Sequence, residues 1–266
     1  MTDIEFVEKP AWVALIADDS PSARQFIRAA ITSFDRRVVI EEAADGRQTL
    51  QALGALHVDL AFLDLDMPEI HGEDVVRTFT AGHRMPFFVV VSGIGHPEQI
   101  ARMRRLAAYD YLHKPVEPEA IHRVLKTYER VSMPTRVLIV DDSRTQRGLI
   151  RRILAESVFH LTIDEAADGI SAFEIYARSP ADIVILDINM DGLDGPNTLR
   201  ILRAHNPEVR VVLMSSDAAA VAAHTDLNVA ATLKKPFTSR DLDTILHRIY
   251  GLGLPYRDGD ATRYRR

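Results

Sequence analysis

Residues 138–143 read LIVDDS, and residues 15–20 read LIADDS. Each is an apolar run of strand length that stops on two adjacent carboxylates. Side-by-side acids repel, and a solvated turn is the cheap place for them. A hydrophobic run leading straight into the pair suggests instead a fixed position and a shared cationic partner. Alone, either pair reads equally well as a turn. Found twice, with the same companions downstream, it reads as a site.

The companions follow a fixed offset. A step of 123 residues carries Asp18 onto Asp141, EEAADG (41–46) onto DEAADG (164–169), and Asp64 onto Asp187. It also carries Met67 onto Met190, Gly72 onto Gly195 and Ser92 onto Ser215. Lys114-Pro115 then meets Lys235-Pro236 at a step of 121, so the second copy is two residues shorter between its serine and its lysine. Solenoid repeats recur every ~20–50 residues, so a period this long means duplicated domains.

Within each copy, short apolar runs (WVALIA, FFVVVS; RVLIV, DIVILD, VRVVLMS) alternate with segments of helical period. That alternation predicts βαβ units and a parallel sheet covered on both faces. The expected fold is α/β, two doubly wound (βα)5 domains in tandem, with about five strands and five helices in each. Ser20-Pro21 offers an N-cap followed by Pro at the first helical position, and a helix to about Phe34. Ser143 opens the equivalent helix, where Leu149, Ile150, Ile153 and Leu154 make a stripe expected to face the core. Expected limits are an extension at 1–11, a first domain at 12–130, a linker at 131–135, a second domain at 136–250 and a disordered tail at 251–266. A helix from about Glu117 to Arg130 leads almost directly into the second copy.

Bulk properties narrow the function. The chain has 266 residues, 47% hydrophobic and 26% charged, enough for two domains that each bury a core. A net charge of −6 argues against a strongly basic nucleic-acid surface. With no cysteine there are no disulfides or thiolate metal sites. The ten histidines show no HxxxH or HExxH spacing, which argues against zinc. The start, MTDIEFVEKP, lacks a signal-peptide pattern, and no apolar run reaches the ~18 residues of a membrane span. The expectation is a cytoplasmic protein without membrane contact.

Ligands of open parallel sheets sit at the carboxyl ends of the strands, and every repeated residue falls there. Asp18, Asp19, Asp64, Ser92 and Lys114 should converge on one rim, and Asp141, Asp142, Asp187, Ser215 and Lys235 on another. Three carboxylates of this kind suit a hard divalent cation, most simply Mg2+ held through oxygen. A carboxylate can also act as nucleophile toward phosphorus, and the lysine and hydroxyl can neutralise phosphoryl oxygens. Asp64 and Asp187 are the expected acceptors. Asp19 and Asp142 are the expected ligands furthest out, with Asp18 and Asp141 assisting directly or through water.

This order of residues resembles the receiver domain of two-component response regulators: acid pair, acceptor Asp, Ser/Thr and Lys-Pro, after strands 1, 3, 4 and 5. The resemblance covers roughly residues 12–130 and 135–250. It implies a flavodoxin-like fold and Mg2+-dependent phosphoryl transfer to Asp64 and Asp187 from a histidine kinase or histidine phosphotransfer protein. It further implies metal-ligating main-chain carbonyls at Asp66 and Asn189, a usually cis Lys-Pro bond, and switch residues Ser92, Tyr111 and Ser215. A switch would act on a downstream protein through the fourth helix, fifth strand and fifth helix. The two copies could also pack together through those faces, or the chain could form a homodimer.

Departures from that pattern separate the copies. Tyr111 becomes Thr232, Met67-Pro68 becomes Met190-Asp191, Asp66 becomes Asn189 and Ile94 becomes Asp217. Asn189 and Asp217 could position a water where Ile94 would shield the phosphoryl group, so phospho-Asp187 is expected to hydrolyse faster than phospho-Asp64. The 123 offset favours Ser215 over Ser216. Lys234, His71 and His113 read as surface residues, Arg102, Arg104 and Arg105 as a solvated face, and DAAAVAAH (217–224) as a short helix. FLDLDMP (62–68) also resembles the DxD signature of haloacid-dehalogenase-like phosphatases, but there the pair follows the first strand. With no other catalytic motif, the expected protein is a non-enzymatic tandem receiver without an output domain. It would work as a protein–protein switch or, alternatively, as a phosphate sink or relay.

Overall fold

The computed structural model describes residues 12–35, 37–79, 86–93, 108–217 and 228–254. Ile94, Arg102, Arg104, Arg105, most of the Ala-rich run, the 1–11 extension and the tail from 255 lie outside the described residues. So does the predicted fourth helix of each copy.

The chain divides into two compact units, one holding the residues up to Tyr128 and the other Glu129–Leu254. The first contains β1 (Val13–Ala17), α1 (Pro21–Phe34), β2 (Val39–Ala43), α2 (Gly46–Ala55), β3 (Leu60–Asp64), α3 (Gly72–Phe79), β4 (Phe87–Ser92), β5 (Asp110–His113) and most of α4 (Pro118–Ser132). The second contains β6 (Thr135–Val140), α5 (Arg144–Ala155), β7 (Leu161–Ala166), α6 (Gly169–Arg178), β8 (Ile183–Asp187), α7 (Gly195–His205), β9 (Val211–Ser215), β10 (Ala231–Lys234) and α8 (Ser239–Ile249).

Each unit holds a five-stranded sheet whose pairings are all parallel. The orders are β2-β1-β3-β4-β5 and β7-β6-β8-β9-β10, the same topology twice. The chain reverses direction across the sheet beside β1 and again beside β6. That opens a crevice between the ends of β1 and β3, and of β6 and β8, where the acids lie.

The helix starts form as the sequence dictates. Ser20 caps α1 by accepting the Ala23 N–H at 3.3 Å, and Ser143 caps α5 by accepting that of Gln146 at 3.3 Å. Asp45 and Asp168, the last acids of the two AADG turns, accept from Gln48 and Ser171 N–H groups at 2.7 and 2.8 Å. Each such cap contributes about 1 kcal/mol.

Strand periodicity sorts the core. Leu15, Leu63 and Val90 face one side of the first sheet with Leu53, Val75 and Phe79 from α2 and α3. Ile16, Phe62 and Val91 face the other with Ile27 and Ile31 of α1 and Ile121 and Leu125 of α4. Neighbouring residues thus enter opposite cores, as the two-residue period of a strand requires. Each large aliphatic side chain buried this way contributes roughly 1.5–3 kcal/mol.

The expected stripe on α5 needs one correction. Ile150 and Leu154 are buried and Ile153 is half-buried, but Leu149 is 47% exposed. The buried line runs i, i+4 through 150 and 154, and position 149 is turned about 100° away from 150 on the helix. Phe26, its counterpart on α1, is exposed as well.

Among the described residues, no helix is long and apolar enough to cross a membrane.

Candidate functional site

The rim of the first unit is built around one lysine. Lys114 follows β5, and its N–H donates to the Ser92 carbonyl at 3.0 Å, which aims the side chain back across the sheet. Its Nζ lies 2.7 Å from Asp18 Oδ2 and 2.6 Å from Asp64 Oδ2. The other oxygens are held by main chain. Asp18 Oδ1 accepts the Ser20 N–H at 2.9 Å, and Asp64 Oδ1 accepts that of Asp66 at 3.2 Å. Asp18, Asp64 and Ser92 are buried, while Asp19 and Asp66 are exposed. Lys114 is therefore a cationic partner shared by Asp18 and Asp64, and Asp19, the outer acid of LIADDS, lies outside that bridge.

The second unit repeats this arrangement. The Lys235 N–H donates to the Ser215 carbonyl at 2.8 Å. Its Nζ sits 2.7 Å from Asp141 Oδ2 and 3.1 Å from Asp187 Oδ1. Ser143 donates its N–H to Asp141 Oδ1 at 2.9 Å. Ser215 is buried at the end of β9 and its Oγ accepts the Asp217 N–H at 3.0 Å, whereas Ser216 is exposed. Both Lys114-Pro115 and Lys235-Pro236 bonds are cis. Tyr111 is buried in the first core, while Thr232 is exposed. Lys234, His71 and His113 are exposed.

The donor set fits a hard cation. In the first unit, carboxylate oxygens of Asp18, Asp19 and Asp64 lie within 4.8 Å of one another. They are oxygen donors, two of them at the floor of the crevice, as Mg2+ or another hard divalent ion requires. Among the described residues, no second trio of carboxylates or imidazoles gathers this closely, although Asp141, Asp142 and Asp187 offer the same donor types.

Electrostatics follow from burial and pairing. Burial by itself would lower the pKa of Lys114, but its hydrogen bonds to Asp18 and Asp64 outweigh that and leave it raised. Burial pushes Asp187 up, only partly opposed by Lys235 and reinforced by the nearby Asp141. A carboxyl whose folded-state pKa is raised contributes stability below its unfolded value, and loses that contribution as pH rises through the folded value. At neutral pH the charge on Asp187 is therefore a cost to folding. Asp187→Asn, which cannot ionise, is expected to raise the unfolding midpoint at pH 7 in the presence of a chelator. The gain should shrink as pH falls into the carboxylate range. Thermal melts across pH read this directly, and a variant less stable than wild type at pH 7 would contradict it.

An arginine clamp, which residue type alone does not announce, completes the rim. Arg24 Nη1 donates to the main-chain carbonyl of Asp18 at 2.8 Å and to that of Asp19 at 3.3 Å. Its Nε pairs with Glu42 at 3.0 Å, and Arg28 reaches the same carboxylate at 2.6 Å. Arg147 repeats the contacts to Asp141 and Asp142 at 2.8 and 3.3 Å, with Glu165 shared by Arg147 and Arg151 at 3.2 and 2.6 Å. The hydrogen bond from Arg28 lowers the Glu42 pKa, and that from Arg151 lowers the Glu165 pKa. Each clamp ties the acid loop to the first helix and the neighbouring strand. The 123 offset relates all three residues of one clamp to those of the other, so the repeat held the signal.

Comparison with known proteins agrees with the geometry. The family model of the response regulator receiver domain matches residues 14–126 and again 137–247. The chain is 26% identical over 153 residues to the transcriptional regulatory protein BtsR of Salmonella typhi, spanning 58% of this chain and 63% of that protein. It is 36% identical over 118 residues to a protein-glutamate methylesterase/protein-glutamine glutaminase of Rhodospirillum centenum, spanning 42% of this chain and 29% of that one. A crystal structure of a two-component system response regulator/GGDEF domain protein shares the fold. Its TM-score is 0.63 at 21% identity, covering 91% of this chain and 99% of that chain. The chain thus spans less than two thirds of each of the two curated relatives.

Proposed function

Because the chain belongs to the response regulator receiver family, in two copies, we propose that each unit is a phosphoacceptor whose state switches binding to another protein. The observation that carries this reading is the lysine bridge: Lys114 joins Asp18 to Asp64, and Lys235 joins Asp141 to Asp187. The proposed domain limits stay at 12–130 and 136–250, and the proposed setting is the cytoplasm.

In the proposed reaction, a carboxylate oxygen of Asp64 or Asp187 forms a bond to the phosphorus of a phosphohistidine. The phosphorus–nitrogen bond breaks, and the imidazole nitrogen keeps the electron pair. Lys114 or Lys235 balances charge on the acceptor and on the arriving phosphoryl oxygens, while the Ser92 or Ser215 hydroxyl is the donor at the adjacent strand end. Mg2+, held by Asp18, Asp19, Asp64 and the Asp66 carbonyl, or by Asp141, Asp142, Asp187 and the Asn189 carbonyl, would neutralise the remaining oxygen charge. Arg24 and Arg147 hold the acid loops in place without touching the reacting atoms.

Phosphorylation adds close to two negative charges beside Lys114 and draws it and Ser92 inward. Tyr111, a buried residue of β5, carries that change to the surface in the first unit. The second unit has the exposed Thr232 at that place, which favours a sink or relay role there. Affinity capture with the phosphorylated chain separates the two roles: phosphate-dependent retention of a partner marks a switch, and fast turnover without retention marks a sink. The haloacid-dehalogenase reading loses support from topology, because the acid pair closes β1 and the acceptor closes β3.

A further inference from the structure

The two clusters share residue types but not shape, and their outer acids differ in one main-chain contact. Asp142 Oδ2 accepts a hydrogen bond from the Asp191 N–H at 3.1 Å. The equivalent residue in the first unit is Pro68, which has no N–H to give. Both loops close onto their strands alike, although the Pro68 carbonyl also accepts from the Gly46 and Ile70 N–H groups at 3.3 and 2.8 Å. Gly72 and Gly195 donate to the carbonyls of Leu65 and Ile188 at 3.1 Å each, and Glu69 and Gly192 both take a left-handed turn at φ 69° and 78°. With no competing donor at Pro68, Asp19 stays within 4.8 Å of Asp18 and Asp64; among the described residues, no such gathering forms around Asp142.

We propose that Asp191 makes the two sites unequal toward divalent cations: its N–H holds Asp142 out of the cluster, so the second site binds Mg2+ about tenfold more weakly than the first. Tenfold is near the lower end of what a hydrogen bond to a charged group contributes, suited to an exposed pair. The side-chain charge of Asp191 acts in the opposite direction. It is exposed and solvent-screened, so its pull on a cation is the smaller effect. Asp191 is thus a positioning residue. Phosphoryl uptake at Asp187 would demand more Mg2+ than uptake at Asp64, grading the two units by cation concentration.

The inference rests on the phosphoacceptor reading, and titration calorimetry with MgCl2 on the full chain tests the two separately. Asp19→Asn with Asp64→Asn silences the first site, and Asp142→Asn with Asp187→Asn silences the second. The expected result is a tenfold gap in Kd that Asp191→Pro closes and Asp191→Ala, which keeps the N–H, does not. Pro68→Ala, which supplies the missing donor, should weaken the first site and guards against a Pro variant that folds poorly. Equal affinities, or closure of the gap by Asp191→Ala, would overturn the inference alone. No Mg2+ binding at either site would remove the functional reading with it.

Discussion

A chain carrying both Asp64→Ala and Asp187→Ala takes up no phosphoryl group from acetyl phosphate in Mg2+, while each single variant is labelled at its one remaining acceptor. Intact-protein mass after acid quench counts the groups. The expectation follows from what the neighbouring acids can do. Asp18 is 1% exposed, with one oxygen on the Ser20 N–H and the other on Lys114, so it cannot turn an oxygen pair toward an incoming phosphorus. Asp141 is held in the same way by Ser143 and Lys235. Asp19 and Asp142 are exposed, and among the described residues neither forms an ion pair with a lysine. Loss of the nucleophile should therefore cost at least ~10³-fold in rate rather than pass the reaction to a neighbour. Undiminished labelling of the double variant would sink the assignment of both acceptors.

The second large effect is expected from glycine. A Cβ on Gly72 would stand 2.2 Å from the Asp64 carbonyl oxygen, and one on Gly195 would stand 2.2 Å from that of Asp187. Each glycine opens the helix that lies against the acceptor's own backbone. Helix propensity alone would make Gly→Ala favourable by up to ~1 kcal/mol. Sterics reverse the sign here, because the obstructing atom is main chain in the middle of the sheet and cannot swing away. Gly72→Ala should destabilise its unit by roughly 3 kcal/mol and displace the acceptor, lowering phosphoryl uptake as well. Gly148 in α5 is the control, since its added Cβ meets nothing within 4 Å. Gly148→Ala should stabilise by a few tenths to ~1 kcal/mol. Denaturant melts in which Gly72→Ala and Gly148→Ala shifted alike would refute the steric argument.

The strand ends were legible in the sequence because they combine two coarse signals, an apolar run and a charge that stops it. Period and offset together put Asp18, Asp64, Ser92 and Lys114 on one rim. The arginine clamps are not legible in this way, although Arg24, Arg28 and Glu42 repeat as faithfully as the acids. Their partners are carbonyls and a carboxylate brought near by chain path, and residue type alone does not reveal a side chain that binds main chain. Leu149 departs from its expected place because a run of apolar residues on a helix is wider than the face that packs, and only the opposing surface decides where burial ends. The replacement of Pro68 by Asp191 is plain in the sequence. Its consequence, a freed N–H within reach of Asp142, depends on a loop geometry that composition does not encode.

Trp12 is the sole tryptophan of the chain, and its ring lies 5.0 Å from that of Tyr128 in the core on the α1 and α4 side of the first sheet. Indole emission therefore reports on one half of the molecule and is blind to the other. A melt followed by tryptophan fluorescence tracks the Asp64 unit, whereas far-ultraviolet dichroism sums both. Any separation between the two curves measures directly whether the duplicated units unfold as one or in sequence.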